Sequence, residues 1–178
     1  MTIAGVACIC GITLIAWGTA SAQVAPPGIP EGLKVPDTEV ILLKAVGKGK
    51  QVYVYSAKPG DESQFAWVLD RPRADLLDDQ GQVIGKHYKG PVWEAADGST
   101  VAGVVQQHAN APDAKAVPWL LLKATSHEKS GMFARATYIQ RVDTEGGLAP
   151  ADGCDKAHAG AEASADYQAT YYFYGPRP

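Results

Sequence analysis

The sequence predicts an all-β fold, either an antiparallel β-sandwich or a barrel-like single domain with a long C-terminal loop before the last strand. From Thr38 onward, short runs rich in Val, Ile, Thr and aromatic residues are separated at short intervals by Gly, Pro and Asp, which is typical of such folds. No segment long enough to form a helix shows a convincing period of about 3.6 residues in its apolar positions. The stretch Gly146–Ala165 holds mainly Gly, Ala, Pro and Asp, and loops of that length are functional or disordered.

The individual elements follow from alternation and turn chemistry. Within Gln51–Tyr55 a period of two places both tyrosines on one face and both valines on the other,. The continuous apolar run Val117–Ala124 predicts a strand covered on both faces, and Tyr171–Tyr174 has the aromatic density of a well-covered strand. Asp79–Gln82 and Ala96–Ser99 are predicted hairpin turns. The predicted strands cover residues 38–46, 50–57, 64–70, 82–88, 91–95, 100–108, 117–125, 132–143 and 166–174.

The N-terminal part predicts export. An apolar run from Ile3 to Trp17 is followed by small residues up to Ala22, and the first 22 residues carry no Asp, Glu, Lys or Arg. This pattern predicts a signal peptide over residues 1–22, an extended Pro/Gly-rich lead-in over 23–37, and a single all-β domain over 38–178. We therefore expect a secreted or periplasmic protein with no membrane attachment after cleavage.

Composition excludes several classes of protein. With 46% hydrophobic and 20% charged residues the chain is too apolar for disorder, and a net charge of -3 leaves no basic footprint for nucleic acid,. Of the three cysteines, Cys8 and Cys10 lie in the predicted signal peptide, which leaves Cys154 alone. Such a thiol is buried, paired between chains, or used by a metal or a partner.

Common catalytic motifs are missing from the sequence. It contains no dinucleotide-binding or phosphate-binding glycine loop, no G-x-S-x-G, no H-E-x-x-H, no C-x-x-C and no EF-hand loop,. We accordingly expect no cofactor, no bound metal and no catalytic residue.

The segment His87–Glu94, followed by Asp97-Gly98-Ser99, is rich in hydrogen-bonding and aromatic groups. A functional interpretation places His87, Trp93 and Glu94 around a pocket, with the indole as a flat platform. In a structural interpretation, Gly90-Pro91 is a turn, Trp93 packs in the core, and His87 is a surface or core histidine whose hydrogen-bonding groups have partners. If Trp93 and Glu94 are adjacent on one strand, they point to opposite faces.

Two further groups have both a functional and a structural interpretation. Arg141, which precedes the Gly146-Gly147 pair, could clamp a carboxylate. Alternatively, it could make structural ion pairs with Asp143 and Glu145,. Cys154 and His158 are the closely spaced pair among potential metal ligands, but a metal site there is the weaker interpretation.

Several ordered motifs together resemble a secreted bacterial and fungal family catalogued as domain of unknown function 3455. The resemblance covers about Val35 to Pro176 and implies an exported, all-β single domain with no established activity. Some fungal members carry a malate dehydrogenase label, which the missing dinucleotide motif contradicts. The motifs are His87-Tyr88-x-Gly90-Pro91-x-Trp93-Glu94, Asp97-Gly98-Ser99, Trp119-Leu120-Leu121-Leu122, Ile139-Gln140-Arg141-Val142-x-Thr144-x-Gly146-Gly147, Gly153-Cys154-Asp155 and Tyr171-Tyr172-Phe173-Tyr174.

The chain departs from that family at one cysteine. Members often carry a Cys at the position of Tyr55, and the resemblance implies that it would pair with the Cys at position 154. Here Tyr55 leaves Cys154 without that partner.

The sequence thus favours a non-catalytic ligand-binding or interaction module for a small molecule or an envelope or extracellular protein. Its site is predicted between the His87–Ser99 hairpin and the Gly146–Ala165 loop. The rival hypothesis is a metal-dependent or acid/base enzyme using His87, Glu94, Cys154 and His158, which requires two of these groups to converge within about 3–4 Å. A third, an envelope structural protein, requires a flat apolar patch without a concave pocket. The predicted ligand-binding residues are His87, Tyr88, Trp93, Glu94, Ser99 and Arg141.

Overall fold

The computed structural model describes residues 28–153 and 156–178. The predicted signal peptide and all three cysteines lie outside these residues. Two 3-10 turns, Glu31–Leu33 and Lys156–His158, accompany eight strands. The strands are β1 (Glu39–Lys58), β2 (Asp61–Leu77), β3 (Val83–Tyr88), β4 (Val92–Ala95), β5 (Thr100–Ala109), β6 (Trp119–Glu128), β7 (Tyr138–Gly146) and β8 (Glu162–Pro176).

Each strand pairs antiparallel with the next one in the chain, and β8 pairs with β1, which closes the sheet into a barrel. The all-β prediction is confirmed, and of its two forms the structure is the barrel. Closure leaves none of the eight described strands with an unpaired edge,. In the part of the chain that the structure describes, no helix is long and apolar enough to cross a membrane.

The predicted break between residues 46 and 50 is wrong, because β1 runs through it as one strand of 20 residues. Gly47 and Gly49 mark close packing here rather than a turn. A Cβ atom on Gly47 would lie 2.6 Å from the ring of Tyr171, and one on Gly49 would collide with the backbone of β2 at Arg73. The two glycines therefore make room for neighbouring strands and for an aromatic ring inside the barrel.

Several strand boundaries also differ from the prediction. β2 extends over Asp61–Leu77 rather than 64–70. β7 begins only at Tyr138, because Phe133 and Ala136 leave the sheet in the preceding turn and bury their side chains in the core. β8 begins at Glu162 and pairs with β1 from Val54 onward. Ala163 and Ala165, which precede Tyr167, are thus half-buried positions of this strand.

The two ends of the barrel differ in their connections. The lower end carries the short turns between β2 and β3 and between β4 and β5, both predicted as hairpins and both confirmed, and the β6–β7 turn. The upper end carries the β1–β2 and β3–β4 turns and the longer β5–β6 and β7–β8 loops. The main core extends from the lower end into the upper part of the barrel, where it includes Trp93, Leu122 and Tyr171.

The outer face of β6 and β7 is covered by the N-terminal segment. Leu33 is buried there against Trp119, Leu121 and Val142, and its carbonyl accepts a 2.7 Å hydrogen bond from Gln140 Nε2. The predicted two-sided burial of the apolar run at β6 is thereby explained. The lead-in, predicted to be extended, forms a 3-10 turn over residues 31–33.

Candidate functional site

A cavity of about 250 Å³ lies in the upper part of the barrel. All eight strands and the β3–β4 turn contribute to its wall, so it is an interior chamber rather than a groove between loops. Its lining residues are Gln51, Leu69, Asp70, Pro72, His87, Gly90, Pro91, Trp93, Val105, Leu120, Leu122, Arg141 and Tyr171.

The wall of this cavity holds buried polar side chains whose atoms lack partners. Gln51 Nε2, Gln51 Oε1, Trp93 Nε1 and Arg141 Nε make no hydrogen bond to any described residue. A fifth such atom, Trp119 Nε1, lies apart from them in the outer cluster beneath the N-terminal segment. Since buried polar groups in proteins are almost always hydrogen-bonded, four orphans around one cavity require an explanation.

Arg141 is the cation of the cavity. On β7 it lies opposite Leu120 of β6 and Tyr171 of β8, which turns its side chain into the barrel, where it is 8% exposed. One guanidinium nitrogen, Nη2, donates a 2.8 Å hydrogen bond to the Pro118 carbonyl. Within residues 28–153 and 156–178, no carboxylate forms an ion pair with it. The structural ion pairs considered from the sequence are therefore not formed there, and the charge is buried without a counter-ion.

Two tyrosines beside Arg141 do not supply the missing negative charge. The hydroxyls of Tyr167 and Tyr171 are hydrogen-bonded to each other. Burial raises the pKa of both phenols, and Arg141 only partly opposes that shift. Both side chains are therefore neutral at physiological pH.

His87 is buried in the cavity wall and stacks on Trp93, with ring centroids 4.4 Å apart. Its Nδ1 lies 2.9 Å from the Val92 carbonyl, so this nitrogen carries the proton and donates it,. Burial lowers the pKa of His87 from 6.5 to about 3, with a smaller contribution from Arg141. The imidazole is therefore neutral, and its Nε2 is a hydrogen-bond acceptor.

Apolar residues also line the cavity, among them Leu69, Pro91 and Val105. Leu69 and Val105 are among the most exposed large apolar residues of the described chain. Asp70 also contributes to the wall, but its carboxylate is paired with Arg71 and Lys89. The cavity thus combines an apolar rim with polar groups buried further inside.

Two predicted site residues lie outside the barrel. Glu94 is opposite Lys86, whereas His87 is opposite Trp93, so the alternation that points His87 and Trp93 inward points Tyr88 and Glu94 outward. There the Tyr88 hydroxyl donates a 2.9 Å hydrogen bond to Glu94 Oε2. The pairing of His87 with Glu94 as an acid/base couple is therefore not formed.

Ser99 is fully buried but lies at the lower end of the barrel. Its hydroxyl donates to Asp97 Oδ1 over 2.6 Å and accepts from the Phe133 amide over 3.2 Å. The Asp97 carboxylate also accepts from the amides of Ser99 and Met132, and these donors lower its pKa. This arrangement ties the β4–β5 turn to the β6–β7 turn, so Ser99 has a structural role.

The β7–β8 loop packs over the upper end near β1 and β2 rather than on the cavity wall. Tyr53 donates a 2.6 Å hydrogen bond to the Gly147 carbonyl, and Trp67 Nε1 donates to the Asp152 carbonyl over 2.8 Å. Among the described residues of the predicted hairpin-and-loop site, only the hairpin half lines the cavity, at His87, Gly90, Pro91 and Trp93. His158 lies exposed in the loop, and the described residues contain no group of three potential metal ligands.

Sequence reasoning missed Gln51 and Tyr171 as site residues. A signal was present for Gln51, because it precedes an alternating run of valines and tyrosines on the same inward register as Tyr53. A glutamine at an inward position of a barrel strand is unusual, since interior positions of small barrels are filled with packed side chains. Tyr171 offered no comparable signal, because its aromatic neighbours fit a packed core equally well.

Comparison with known proteins identifies a family but no characterised relative. The sequence model of a family described as "Protein of unknown function (DUF3455)" matches residues 36–175. No curated protein and no solved structure matches the chain.

Proposed function

The chain belongs to the DUF3455 family, whose function is unknown, and we propose that its barrel is a non-catalytic binding module that holds one small organic molecule. The observation that carries this proposal is the cavity at the upper end, where four buried polar atoms of three side chains lack partners. A buried donor or acceptor left unsatisfied costs about 1–3 kcal/mol. Each of these atoms has less than 1 Å² of accessible surface, so a ligand reaches them by shifting the side chains around the cavity. A ligand that then supplies those hydrogen bonds recovers this free energy on binding.

The nature of the lining supports binding rather than a packing defect. Empty cavities in proteins are typically apolar, whereas this one collects a guanidinium, an amide, an indole N–H and an imidazole. Apolar walls with a few convergent polar groups are the usual composition of a ligand pocket. The concave chamber also argues against the purely structural role, for which a flat apolar patch was expected.

The geometry favours binding over acid/base catalysis. A general base works best with a pKa near the operating pH, and His87, with a pKa of about 3, is a weak base. Its proposed partner Glu94 lies on the other side of the sheet. This separation supports binding over a reaction in which His87 and Glu94 act together on one substrate.

A pair of tryptophan variants tests the binding proposal. Val104 and Val105 are neighbours on β5 with similar exposures of 48% and 46%, but only Val105 lines the cavity. We expect Val105→Trp to obstruct the chamber and Val104→Trp to leave it open. Ligand-observed NMR against a library of small acids, alcohols, amides and amines should give hits for the wild type and Val104→Trp that disappear in Val105→Trp. Equal hits for both variants, or no hits for the wild type, would refute binding in the barrel.

Export to the periplasm or the medium is the second part of the proposal. It rests on the uncharged apolar run Ile3–Trp17 and the small residues that follow it,. Intact mass measurement of the full chain expressed in an exporting bacterial host should give a polypeptide beginning at Gln23 outside the cytoplasm. An uncleaved chain confined to the cytoplasm would contradict it.

A further inference from the structure

We infer that the ligand of the barrel is a small carboxylic acid, bound as its anion, that also carries a hydroxyl or N–H donor. This inference rests on the proposed binding function and adds the chemical class of the ligand. It follows from the charge, the donors and acceptors, and the size of the cavity.

The charge of the cavity calls for a single negative charge. Arg141 is a permanent cation buried without a carboxylate partner in the described parts of the chain. Burying a charge is costly unless it is paired and hydrogen-bonded. Tyr167, Tyr171 and His87 are all neutral in this environment, and the Asp70 carboxylate at the wall already has two cationic partners. A monoanionic ligand therefore completes the charge balance inside the barrel.

The hydrogen-bonding groups distinguish an organic acid from a plain inorganic anion. Arg141 Nε, Trp93 Nε1 and Gln51 Nε2 are unpartnered donors, which suit carboxylate oxygens,. Gln51 Oε1 is an unpartnered acceptor, and His87 Nε2 is an acceptor as well, because Nδ1 carries the proton. These two acceptors call for a donor on the ligand.

The volume and the apolar part of the wall set the size and the body of the ligand. At about 250 Å³ the chamber falls just below the ~300 Å³ at which pockets for drug-sized molecules begin,. Leu69, Pro91, Val105, Leu120 and Leu122 give it apolar surface that an inorganic ion would leave uncovered. A compact ring or short branched hydrocarbon bearing the acid and the donor matches this surface, and hydroxybenzoates are suitable probes.

The test compares matched probes on the full wild-type chain. Isothermal titration calorimetry at pH 7 would measure the three hydroxybenzoate isomers, the corresponding hydroxybenzamides, benzoate and inorganic phosphate. In parallel, the indole ¹H–¹⁵N signal of Trp93, assigned with Trp93→Phe, would report whether that N–H gains a hydrogen bond. We expect at least one hydroxybenzoate to bind tenfold or more tightly than its amide, to bind more tightly than benzoate, and to shift the Trp93 signal.

The arginine variants locate the charge selectivity. Arg141→Met should abolish the preference for acid over amide, and Arg141→Lys should reduce it, because lysine keeps the charge but loses the planar donor set. Arg73→Met is the matched control, since Arg73 is an exposed arginine on the outside of β2, and it should retain the full preference. Thermal unfolding of each variant checks that it is folded, and the acid-to-amide comparison on the wild type needs no variant.

The outcomes separate this inference from the proposal beneath it. If the amides bind as tightly as the acids and Val105→Trp abolishes this binding, the carboxylate assignment is wrong but the proposed binding function is supported. Displacement of the probes by phosphate would overturn the assignment of an organic acid. Benzoate that binds as tightly as the hydroxybenzoates would overturn the need for a hydrogen-bond donor on the ligand. Failure of every acid to bind while the library screen yields other hits would overturn the inference alone, and failure of both would overturn both.

Discussion

The two ends of the barrel interior are built on the same strands and have opposite character. On β8, Phe173 points into the lower end and Tyr171, two residues earlier, points into the upper end. Below, Phe133 and Phe173 pack with ring centroids 4.6 Å apart among Leu76 and Val101. At the upper end, the inward-pointing residues include the polar side chains of Gln51, His87 and Arg141, which line the cavity.

This difference shows how one small barrel can combine stability with a binding site. The lower end gains free energy from close-packed apolar side chains, and the upper end loses free energy through buried polar atoms without partners. Functional sites commonly retain such unfavourable features, and the rest of the fold compensates for them. We therefore expect mutations at the lower end to change stability and mutations at the upper end to change ligand binding.

The largest effect is expected from removing the aromatic plug of the lower end. Phe133 is almost fully buried, and Phe133→Ala should lower the unfolding free energy by about 3–5 kcal/mol, because it deletes a large apolar side chain and leaves a cavity. Urea denaturation monitored by circular dichroism measures the change. Met132→Ala is the control, since Met132 is the exposed neighbour, and it should change stability by less than about 0.5 kcal/mol. Similar losses for both variants would mean that the lower end is not the stabilising core.

The second prediction concerns the pH dependence that the upper end imposes. His87 has a pKa of about 3 in the folded barrel and 6.5 in the unfolded chain, so between these values the unfolded chain binds a proton that the folded chain excludes. The effect of His87 on the free energy of unfolding is absent well above pH 6.5, and the protein loses stability as the pH falls from 6.5 toward 3,. At pH 4 this linkage should destabilise the protein by about 3 kcal/mol relative to pH 7.

A histidine pair isolates that effect from other titrating groups. His87→Gln should remove this part of the pH dependence, whereas His108→Gln, a change at an exposed position on β5, should retain it. Urea denaturation at pH 7, 5.5 and 4 provides the comparison. If His87→Gln and the wild type lose the same free energy between pH 7 and pH 4, then the imidazole is not held neutral by burial.

Much of the fold was predictable because turns and alternation are local properties of the chain. The hairpins at Asp79–Gln82 and Ala96–Ser99 and the covered strand at β6 follow from such signals. The continuity of β1 through Gly47 and Gly49 was not predictable, because the reason for these glycines is the proximity of Tyr171 and of the β2 backbone. Closure of the sheet by the pairing of β8 with β1 is likewise a long-range property.

The candidate site was only partly predictable for the same reason. Strand alternation correctly separates Trp93 from Glu94, and it places His87 with Trp93. It does not reveal that Arg141 and Gln51, which are far apart in sequence, face the same chamber. Ser99 illustrates the converse, that closeness in sequence does not imply closeness in space. It follows Trp93 by six residues but lies at the other end of the barrel, because β4 runs from the upper end to the lower end between them.

The third prediction tests that assignment of Ser99 to the lower end. Ser99→Ala should lower the unfolding free energy by about 1–2 kcal/mol, because it leaves the buried Phe133 amide without an acceptor,, and ligand affinity should stay unchanged. Ser63 makes the same pair of hydrogen bonds to Asp61 at the exposed start of β2, so Ser63→Ala is a matched control with an expected change below about 0.5 kcal/mol. A loss of ligand affinity in Ser99→Ala would return this residue to the binding site.

The smallest effect is expected on the outside of the β3–β4 hairpin. Tyr88→Phe deletes only the hydrogen bond to Glu94, and an interaction at the protein surface of this kind contributes about 0.5 kcal/mol or less. Tyr53→Phe is the informative counterpart, because the Tyr53 hydroxyl is buried and donates to the Gly147 carbonyl; it should cost about 1 kcal/mol. Denaturation curves and titration of a ligand found in the screen should therefore show Tyr88→Phe nearly identical to the wild type in both respects. A clear loss of affinity in Tyr88→Phe would mean that the ligand contacts the outer face of this hairpin. The division between a structural exterior and a binding interior would then be wrong at Tyr88, where strand alternation predicts it most directly.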